Sequence, residues 1–353
     1  MDGASLHTVT PYGRGGGSSR VRVFDWLDHL GLDAVTHDYV GLSTNSPARL
    51  GRHPVALARA EVDLRRLARS VSGSTVLLSK QASPFSTGAI EERLLGAARL
   101  GVYDVDDSLL DEVSGGRAQA LFPKARIWRR AVRAADVVIA GNDYLADQAV
   151  AAAPAARVLV IPSCVQPDDY RVKRDYSVGA TPRAVWLGTP CTEAHLLTIA
   201  EPLLRVHRSH GLRLTLISAG QADLGPLAAM TDRLEWSPAA SDRLADADVG
   251  LMPLPDTPYT RGKCAYKLLQ YAASGLPSVA SPVGANAAAV ARGLASAASE
   301  PDEWAAALVG LIEAPVAQRA EAGARARAGV CAHYSLDAWA EAWQRGVGLR
   351  GDR

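Results

Sequence analysis

Three cations crowd one short stretch of this sequence, where Arg261, Lys263 and Lys267 fall within RGKCAYK. The apolar run that follows, YKLLQYAASG, has helical spacing and predicts that Lys267 lies where a helix begins. Cations at a helix N-terminus oppose the helix dipole, and the backbone amides there donate outward. A diphosphate would use all three cations, so we predict a phosphate site; a solvated basic loop is the alternative.

Two further features match a nucleotide ligand. VWLGTP ends a strand-like run, and Gly188, Thr189 and Pro190 predict a tight turn whose hydroxyl and amide can donate to a phosphate. Gln270 falls one helical turn after Lys267 and can exchange hydrogen bonds with ribose hydroxyls. A plain turn remains the alternative for Gly188–Pro190.

The glycine loop PYGRGGGSSR follows the first strand-like run and opens a helix. Gly13 and Gly15 match the start of GxGxxG, but Ser18 breaks the pattern, so the dinucleotide fingerprint is incomplete. Consecutive glycines allow close approach of the backbone to a ligand, although a flexible connector is the alternative. The predicted ligand contacts here are Gly15, Gly16, Gly17 and Arg20.

The stretch YDVDD places Asp104, Asp106 and Asp107 at the end of a strand. Carboxylates in this position can hold a metal or accept hydrogen bonds from hydroxyls, and Asp107 could also cap a helix. We favour the hydroxyls of a sugar or cyclitol, or an amine on the same molecule. We expect neither a metal nor a cofactor.

Strand-like and helix-like stretches alternate along the chain and predict parallel sheets covered on both faces. The polar stretch QPDDYRVKRDYSVGATP interrupts this alternation and predicts a linker. The fold class is therefore α/β with two Rossmann-like, doubly wound domains, whose ligands bind at the carboxyl ends of the strands. The predicted divisions are residues 1–175, residues 176–335 and a final helix in 336–353.

Composition narrows the possible partners. The 353 residues are sufficient for two domains, and a net charge of +1 argues against nucleic acid. The four cysteines are scattered, which argues against a zinc ribbon and favours reduced thiols in a cytoplasmic protein. No apolar run approaches the ~20 residues of a membrane span, so we expect no stable membrane insertion. The oligomeric state stays open.

Residues 248–286, DVGLMPLPDTPYTRGKCAYKLLQYAASGLPSVASPVGAN, resemble the donor-binding segment of family 4 glycosyltransferases, which are retaining enzymes of the GT-B fold. ADVVIAGNDYLAD and VLVIPSCVQPDDY resemble the end of the first domain in that family, and YDVDDSLL and VWLGTP also fit. The resemblance covers essentially the whole chain. It implies a cleft between the two domains, a nucleotide sugar on the second, an acceptor on the first, and a last helix that crosses back to the first.

The resemblance also implies residue roles. Lys267 and Gln270 fall in the segment for diphosphate and ribose, and the loop from Arg261 to Cys264 faces the donor sugar. Many members carry glutamates at the positions of Gly262 and Gln270, and an Arg and a Lys where GTPCTEAHLL has neither. The cations at 261–267 are interpreted as the substitute for that missing charge. The implied donor contacts are Gly188, Thr189, Pro190, Trp236, Ser237, Gly262, Cys264 and Gln270, with Trp236 and Ser237 beside the nucleobase.

The implied reaction is transfer of a sugar from a nucleoside diphosphate sugar, such as a UDP-sugar, to a hydroxyl of a small polyhydroxylated or amino-bearing acceptor, with retention. Lys267, Lys263 and Arg261 would stabilise the leaving diphosphate without a metal. Heavy use of alanine and arginine favours a role in bacterial natural-product (antibiotic) biosynthesis. The alternatives are a cell-envelope polysaccharide transferase with KARIWRRAVRAA facing a membrane, a sugar-nucleotide epimerase, a nicotinamide-dependent reductase, and a non-catalytic sugar-nucleotide-binding partner.

Overall fold

The structure is a computed structural model, and it describes residues 5–45, 47–111 and 121–349. Tertiary contacts divide the chain into two units. The first comprises Met1–Ser163, Arg261–Cys264 and Trp339–Arg353, and the second comprises Cys164–Thr260 and Ala265–Ala338. The predicted linker counts with the second unit, and residues 350–353 of the predicted final segment lie outside the described residues.

Each unit contains a six-stranded sheet whose paired strands are parallel. The order is β2-β1-β3-β4-β5-β6 in the first unit and β12-β11-β10-β7-β8-β9 in the second. The first sheet consists of β1 (Leu6–Val9), β2 (Val35–His37), β3 (Thr75–Ser79), β4 (Leu100–Val105), β5 (Val137–Ala140) and β6 (Arg157–Val160). The second consists of β7 (Arg183–Leu187), β8 (Arg213–Ile217), β9 (Thr231–Leu234), β10 (Val249–Met252), β11 (Ser278–Ala280) and β12 (Ser296–Ala297).

Central strands are buried along their whole length. Every residue of β3, β5 and β10 is buried, because helices cover both faces of a parallel sheet. This explains why TVLLS and VVIA are continuous apolar runs with no polar alternation. The prediction of α/β units with parallel sheets is confirmed.

The helices of the first half of the chain follow the predicted segments. They are α1 (Gly17–Ser19), α2 (Asp25–Leu30), α3 (Pro47–Leu50), α4 (Pro54–Leu67), α5 (Ala89–Ala97), α6 (Lys124–Ala134) and α7 (Asp143–Ala152). A π-helical stretch, Arg20–Phe24, joins α1 to α2 without a break, and the segment ends at Gly31 in the left-handed conformation. Helices α4, α5 and α6 share one hydrophobic core, to which they contribute Leu64, Leu94 and Trp128.

The second half differs from prediction at two segments that are predicted as helices. Its helices are α8 (Ala200–His210), α9 (Pro258–Arg261), α10 (Tyr266–Ala273), α11 (Ala285–Ala291), α12 (Pro301–Glu313), α13 (Val316–Tyr334) and α14 (Leu336–Gly346). The first of the two segments, SDRLADA, lies largely within a 3₁₀-helix, Pro238–Asp246. The second, EAHLLTIAEPLLRVHRSH, is 3₁₀-helical up to Ile199 and α-helical only from Ala200. Pro202 has no N–H and its ring clashes with the carbonyl four residues earlier, so an α-helix cannot pass through it unbroken.

A pair of tryptophans holds the end of the chain to the first unit. The rings of Trp26 on α2 and Trp343 on α14 stack with centroids 5.4 Å apart and an interplanar angle of 12°. Both side chains are at most 1% exposed. Since aromatic stacking adds to the burial of large apolar areas, this contact fixes the last helix on its own unit.

We expect Trp343→Ala to lower the free energy of unfolding by about 3–5 kcal/mol, the usual cost of truncating a buried tryptophan. Urea denaturation followed by circular dichroism measures the change. Trp236→Ala is the matched control, because Trp236 is 42% exposed and its loss should change the stability by less than about 0.5 kcal/mol. A similar small change for Trp343→Ala would contradict the role of the stack.

Candidate functional site

Lys267 lies at the carboxyl end of the second sheet. It occupies the first turn of α10, whose loop follows β10, and its ammonium nitrogen is 4.9 Å from the centre of the Trp186 ring. Trp186 is on β7 and only 1% exposed. A cation over an aromatic face is attracted electrostatically, so the ring orients the ammonium at the edge of the sheet.

Gly188 provides the space for this arrangement. It follows β7 directly, and a Cβ at this position would lie 2.6 Å from Cε of Lys267. Any larger residue would therefore displace the lysine stem. The sequence predicted two separate phosphate contacts, the Gly188–Pro190 turn and Lys267, and the structure brings Gly188 and Lys267 into contact.

Tyr271 fixes α10 on the sheet. Its hydroxyl donates to the Leu251 carbonyl and accepts from the Leu187 amide, both at 3.1 Å. Its ring lies on Gly250, where a Cβ would approach Cδ2 to 2.7 Å. Helix α10 is thus tied to both β7 and β10, which sets the position of Lys267 one turn earlier. Sequence reasoning missed this anchor, although a glycine inside a buried strand was an available signal.

The start of α10 is strained and carries no negative charge of its own. Ala265, which precedes the helix, has φ of 55° and is 2% exposed. The first turn contains no acidic residue, and no side chain caps the N-terminus. A non-glycine residue in this conformation costs about 1–2 kcal/mol, and such strain is concentrated at functional sites.

A recess of about 240 Å³ lies beside the predicted nucleobase loop. Ser237 lines it, whereas Trp236, next to it in the chain, is 42% exposed. The remaining lining residues are Ile217, Leu234, Glu235, Ala239, Ala240 and Arg243.

An ion pair that the sequence did not reveal joins the segments after two strands to a third strand. Glu193 is fully buried, and its carboxylate accepts from the Ala222 amide at 3.1 Å and from Arg233 at 3.0 Å. Arg233 also donates to the carbonyls of Gly220 and Ala222. These contacts hold the segment after β7 and the loop after β8 against the end of β9.

Asp104, at the end of β4, does not face a ligand. The Arg22 guanidinium bonds both of its carboxylate oxygens, at 2.7 Å and 3.1 Å, and both side chains are 1% exposed. Arg22 also donates to the Ile161 carbonyl at 2.9 Å. The prediction that Asp104 contacts an acceptor does not fit this enclosure, because the Arg22 pair occupies the carboxylate.

Asp106 and Asp107 form a mixed-charge cluster with two lysines. The Lys80 ammonium lies 3.1 Å from Asp106 and 2.5 Å from Asp107, and it also donates to the Ser18 hydroxyl at 3.0 Å. Lys263 donates to the other oxygen of Asp107 at 2.7 Å. Burial alone would raise the pKa of Asp107, but the two ammonium groups hold that pKa well below its usual value.

The glycine loop meets this cluster through Lys80 and Ser18. Lys80 follows β3 directly and has φ of 60°, so its backbone is strained, as is that of Ala265. Gly15 and Gly17 are exposed and Gly16 is buried against Tyr12, while Arg20 pairs with Asp25 at 3.4 Å. The glycine loop therefore reaches the acids through Ser18 and Lys80, neither of which the sequence indicated as a site residue.

The segment Arg261–Cys264 belongs to the first unit, whereas Lys267 and Gln270 belong to the second. Asn142 donates to the carbonyls of Arg261 and Lys263, at 3.2 Å and 3.0 Å. The thiol of Cys264 donates to the Asp106 carbonyl at 3.2 Å, and burial raises its pKa. The three cations are thus divided between two settings, with Lys263 at the acids and Lys267 at the second sheet.

Gly262 lies directly against the chain at Ser108. A Cβ on Gly262 would be 2.6 Å from Cβ of Ser108 and 2.7 Å from its backbone nitrogen. No side chain fits there, so the glutamate that many family members carry at this position cannot be accommodated. The predicted donor contacts of Gly262, Cys264 and the half-buried Gln270 stay predictions.

Within the described ranges, no group of three or more His, Cys, Asp or Glu side chains is arranged to hold a metal ion. Among the helices described, none is long and apolar enough to cross a bilayer.

The low pKa of Asp107 predicts how stability depends on pH. A carboxylate whose pKa is lower in the folded state than the unfolded value of about 3.9 stabilises the fold above that value, and the contribution is lost as the pH falls below about 4. We expect Asp107→Asn to lower the free energy of unfolding by roughly 3 kcal/mol at pH 7, because Lys263 loses its carboxylate and Lys80 keeps only Asp106. The difference from wild type should shrink below about pH 4.

Urea denaturation at several pH values measures this difference. Asp147→Asn is the control, since Asp147 is exposed on α7 of the same unit. An Asp107→Asn effect that stayed constant from pH 7 to pH 3 would contradict the ion-pair account.

One known family matches part of the chain. Residues 181–314 match the family described as Glycosyl transferases group 1. No curated protein matches the chain. HepE from Anabaena, solved with UDP and glucose, is 14% identical with a TM-score of 0.69, covering 99% of this chain and 100% of its own.

Two further solved structures are similar over nearly their whole length. Sucrose-phosphate synthase from Thermosynechococcus elongatus is 14% identical with a TM-score of 0.70, covering 97% of this chain and 98% of its own. A UDP-forming α,α-trehalose-phosphate synthase from Burkholderia xenovorans is 14% identical with a TM-score of 0.66, covering 98% and 99%. The chain therefore has the GT-B fold, and its residues 181–314 match the group 1 glycosyltransferase family.

Proposed function

We propose that this protein transfers a sugar from a UDP-sugar to a hydroxyl of a small polar acceptor, with retention of configuration and without a metal. The observation that carries the proposal is the placement of Lys267 in the first turn of α10, held over Trp186 and against Gly188. This position combines a fixed cation, outward-pointing amides and the glycine turn after β7, which together match a diphosphate.

Lys267 has the largest role in the proposed chemistry. Negative charge grows on the diphosphate as the glycosidic bond breaks, and a preorganised cation stabilises that charge more in the transition state than in the ground state. Arg261 and Lys263 add positive charge, but Lys263 already donates to Asp107. Lys267 therefore contributes more to the rate than either of them.

The acceptor side lies in the first unit. The cluster of Asp106, Asp107 and Lys80 offers both acceptors and donors of hydrogen bonds, and the Ser18 hydroxyl of the glycine loop accepts from Lys80. Such a mixed set fits the hydroxyls or the amine of a small polyhydroxylated molecule. A role in natural-product biosynthesis is consistent with that class of acceptor.

We expect retention because the family that the chain resembles is retaining and because no acid lies between Arg261 and Gln270 in the sequence. With no carboxylate from this stretch to act as nucleophile or base, the acceptor hydroxyl attacks on the face from which the diphosphate leaves, and a phosphate oxygen takes its proton. UDP is our first choice of nucleotide because HepE was solved with UDP and with UDP-glucose. The recess at Ser237 is our proposed site for the uracil.

We expect Lys267→Ala to lower kcat by roughly 10²–10³, the usual cost of removing one stabiliser of a developing anion. UDP release measures turnover, with the donor first selected from UDP-, GDP- and dTDP-sugars by thermal shift. Arg325→Ala removes an exposed cation on α13 of the same unit and should leave kcat unchanged. Turnover of Lys267→Ala near that of wild type would remove the basis of the proposal.

Activity should survive EDTA, because lysine and backbone amides meet the diphosphate in the proposed mechanism. Loss of activity in EDTA with recovery in Mg²⁺ or Mn²⁺ would refute the proposal that no metal is needed.

An α-linked donor should give an α-linked product, and the anomeric coupling constant measured by NMR shows which product forms. A β-linked product would show inversion and would make Asp106 or Asp107 the general base.

A further inference from the structure

The charged side chains of helix α6 are all positive. Its sequence, KARIWRRAVRA, contains five cations and no acid. The face turned to the core consists of Ile127, Trp128, Ala131 and Val132, and Arg126, Arg129 and Arg133 are exposed. Trp128 is only 1% exposed, so it is a core residue and cannot be the membrane-facing aromatic that the sequence suggested.

The charge of α6 is not matched by its neighbours. Arg130 pairs with Glu92 of α5, but within the part of the chain that the structure describes neither Arg126 nor Arg129 has an ion-pair partner. The first turn of α6 holds no acid, so its cations oppose the helix dipole. In a chain of net charge +1, this local excess indicates an anionic partner.

Exposed apolar side chains border the same end of α6. Leu121 is 70% exposed and Phe85 is 39% exposed, and the ring of Phe85 meets that of Phe122 edge to face at 5.7 Å. Gly88, shortly after Phe85, packs against the first turns of α6, where a Cβ would lie 3.1 Å from the Arg126 carbonyl oxygen. The exposed apolar groups therefore border the basic helix at its first turns.

We propose that this α6 surface, defined as Phe85, Leu121, Arg126, Arg129 and Arg133, docks the protein on an anionic lipid bilayer. Apolar side chains that enter the headgroup region, flanked by cations that meet lipid phosphates, are the two elements of peripheral membrane binding. A soluble polyanion would use the arginines but gain nothing from Leu121 and Phe85. The loops after β3 and β4 leave the carboxyl edge of the sheet, so docking brings the cluster at Asp106 and Asp107 towards the lipid headgroups.

Vesicle flotation with the full chain tests the proposal and is independent of sugar transfer. Wild type should bind phosphatidylcholine vesicles that contain phosphatidylglycerol and should bind pure phosphatidylcholine vesicles far more weakly. Reversal of three charges, R126E/R129E/R133E, should weaken binding by roughly 10²-fold or more. The charge-conserving set R126K/R129K/R133K should retain binding, and circular dichroism checks that each variant is folded.

The matched control is R171E/R243E/R325E, which reverses three exposed arginines of the second unit and should bind as wild type does. L121A and F85A should each weaken binding to phosphatidylglycerol vesicles. Equal binding to both vesicle types, or unchanged binding of R126E/R129E/R133E, would overturn the proposal. Competition by inorganic polyphosphate as strong as that by the vesicles would also overturn it and indicate a polyanion site instead.

Discussion

Parallel pairing of strands is the constraint on which both candidate sites depend. When all strands of a sheet point one way, every loop that follows a strand leaves from the same edge. In the first sheet the register pairs Ser79 with Asp104, so Lys80 and the residues after Asp104 emerge side by side. In the second sheet, β7 and β10 are neighbours, which brings Gly188 close to the helix that carries Lys267.

Buried charge sets the second condition, because an ionised group removed from water needs a partner. At the edge of the first sheet, the aspartates that follow one another in the sequence each form an ion pair with a cation. Asp104 forms an ion pair with Arg22, and Lys80 forms ion pairs with both Asp106 and Asp107. The acceptor proposed above would therefore enter a network that is already close to neutral, which favours groups that both donate and accept hydrogen bonds.

The sequence was sufficient for the fold because its signals are local. Continuous apolar runs marked the buried strands, and helical spacing marked the covering helices, including α10 with its stop at Gly275. The partners within the sites could not be predicted in this way. Arg22 lies 82 positions from Asp104, and Glu193 lies 40 positions from Arg233, and nothing in one member of a pair specifies the other.

Gly262 shows a different limit of sequence reasoning. The resemblance identifies this position as one where many family members carry a glutamate. The chain passes too close to Ser108 for any side chain there, and only the three-dimensional structure shows this contact. The 3₁₀-helical stretch before Ala200 has the apolar spacing of an α-helix, so its pattern alone predicts one. Pro202 prevents regular α-helical hydrogen bonding in the preceding turn.

The contrast between Lys263 and Lys267 shows how the missing cations after β7 can be replaced. Lys263 is held by the Asp107 carboxylate, which offsets its charge. Lys267 is held by the face of Trp186, and an aromatic ring orients an ammonium group without neutralising it. The lysine reaches the Gly188 turn from α10, a different element from the one on which related chains place their cations. The proposed diphosphate site requires positive charge at that point in space, and an element other than the segment after β7 can supply it if it ends at the same edge of the sheet.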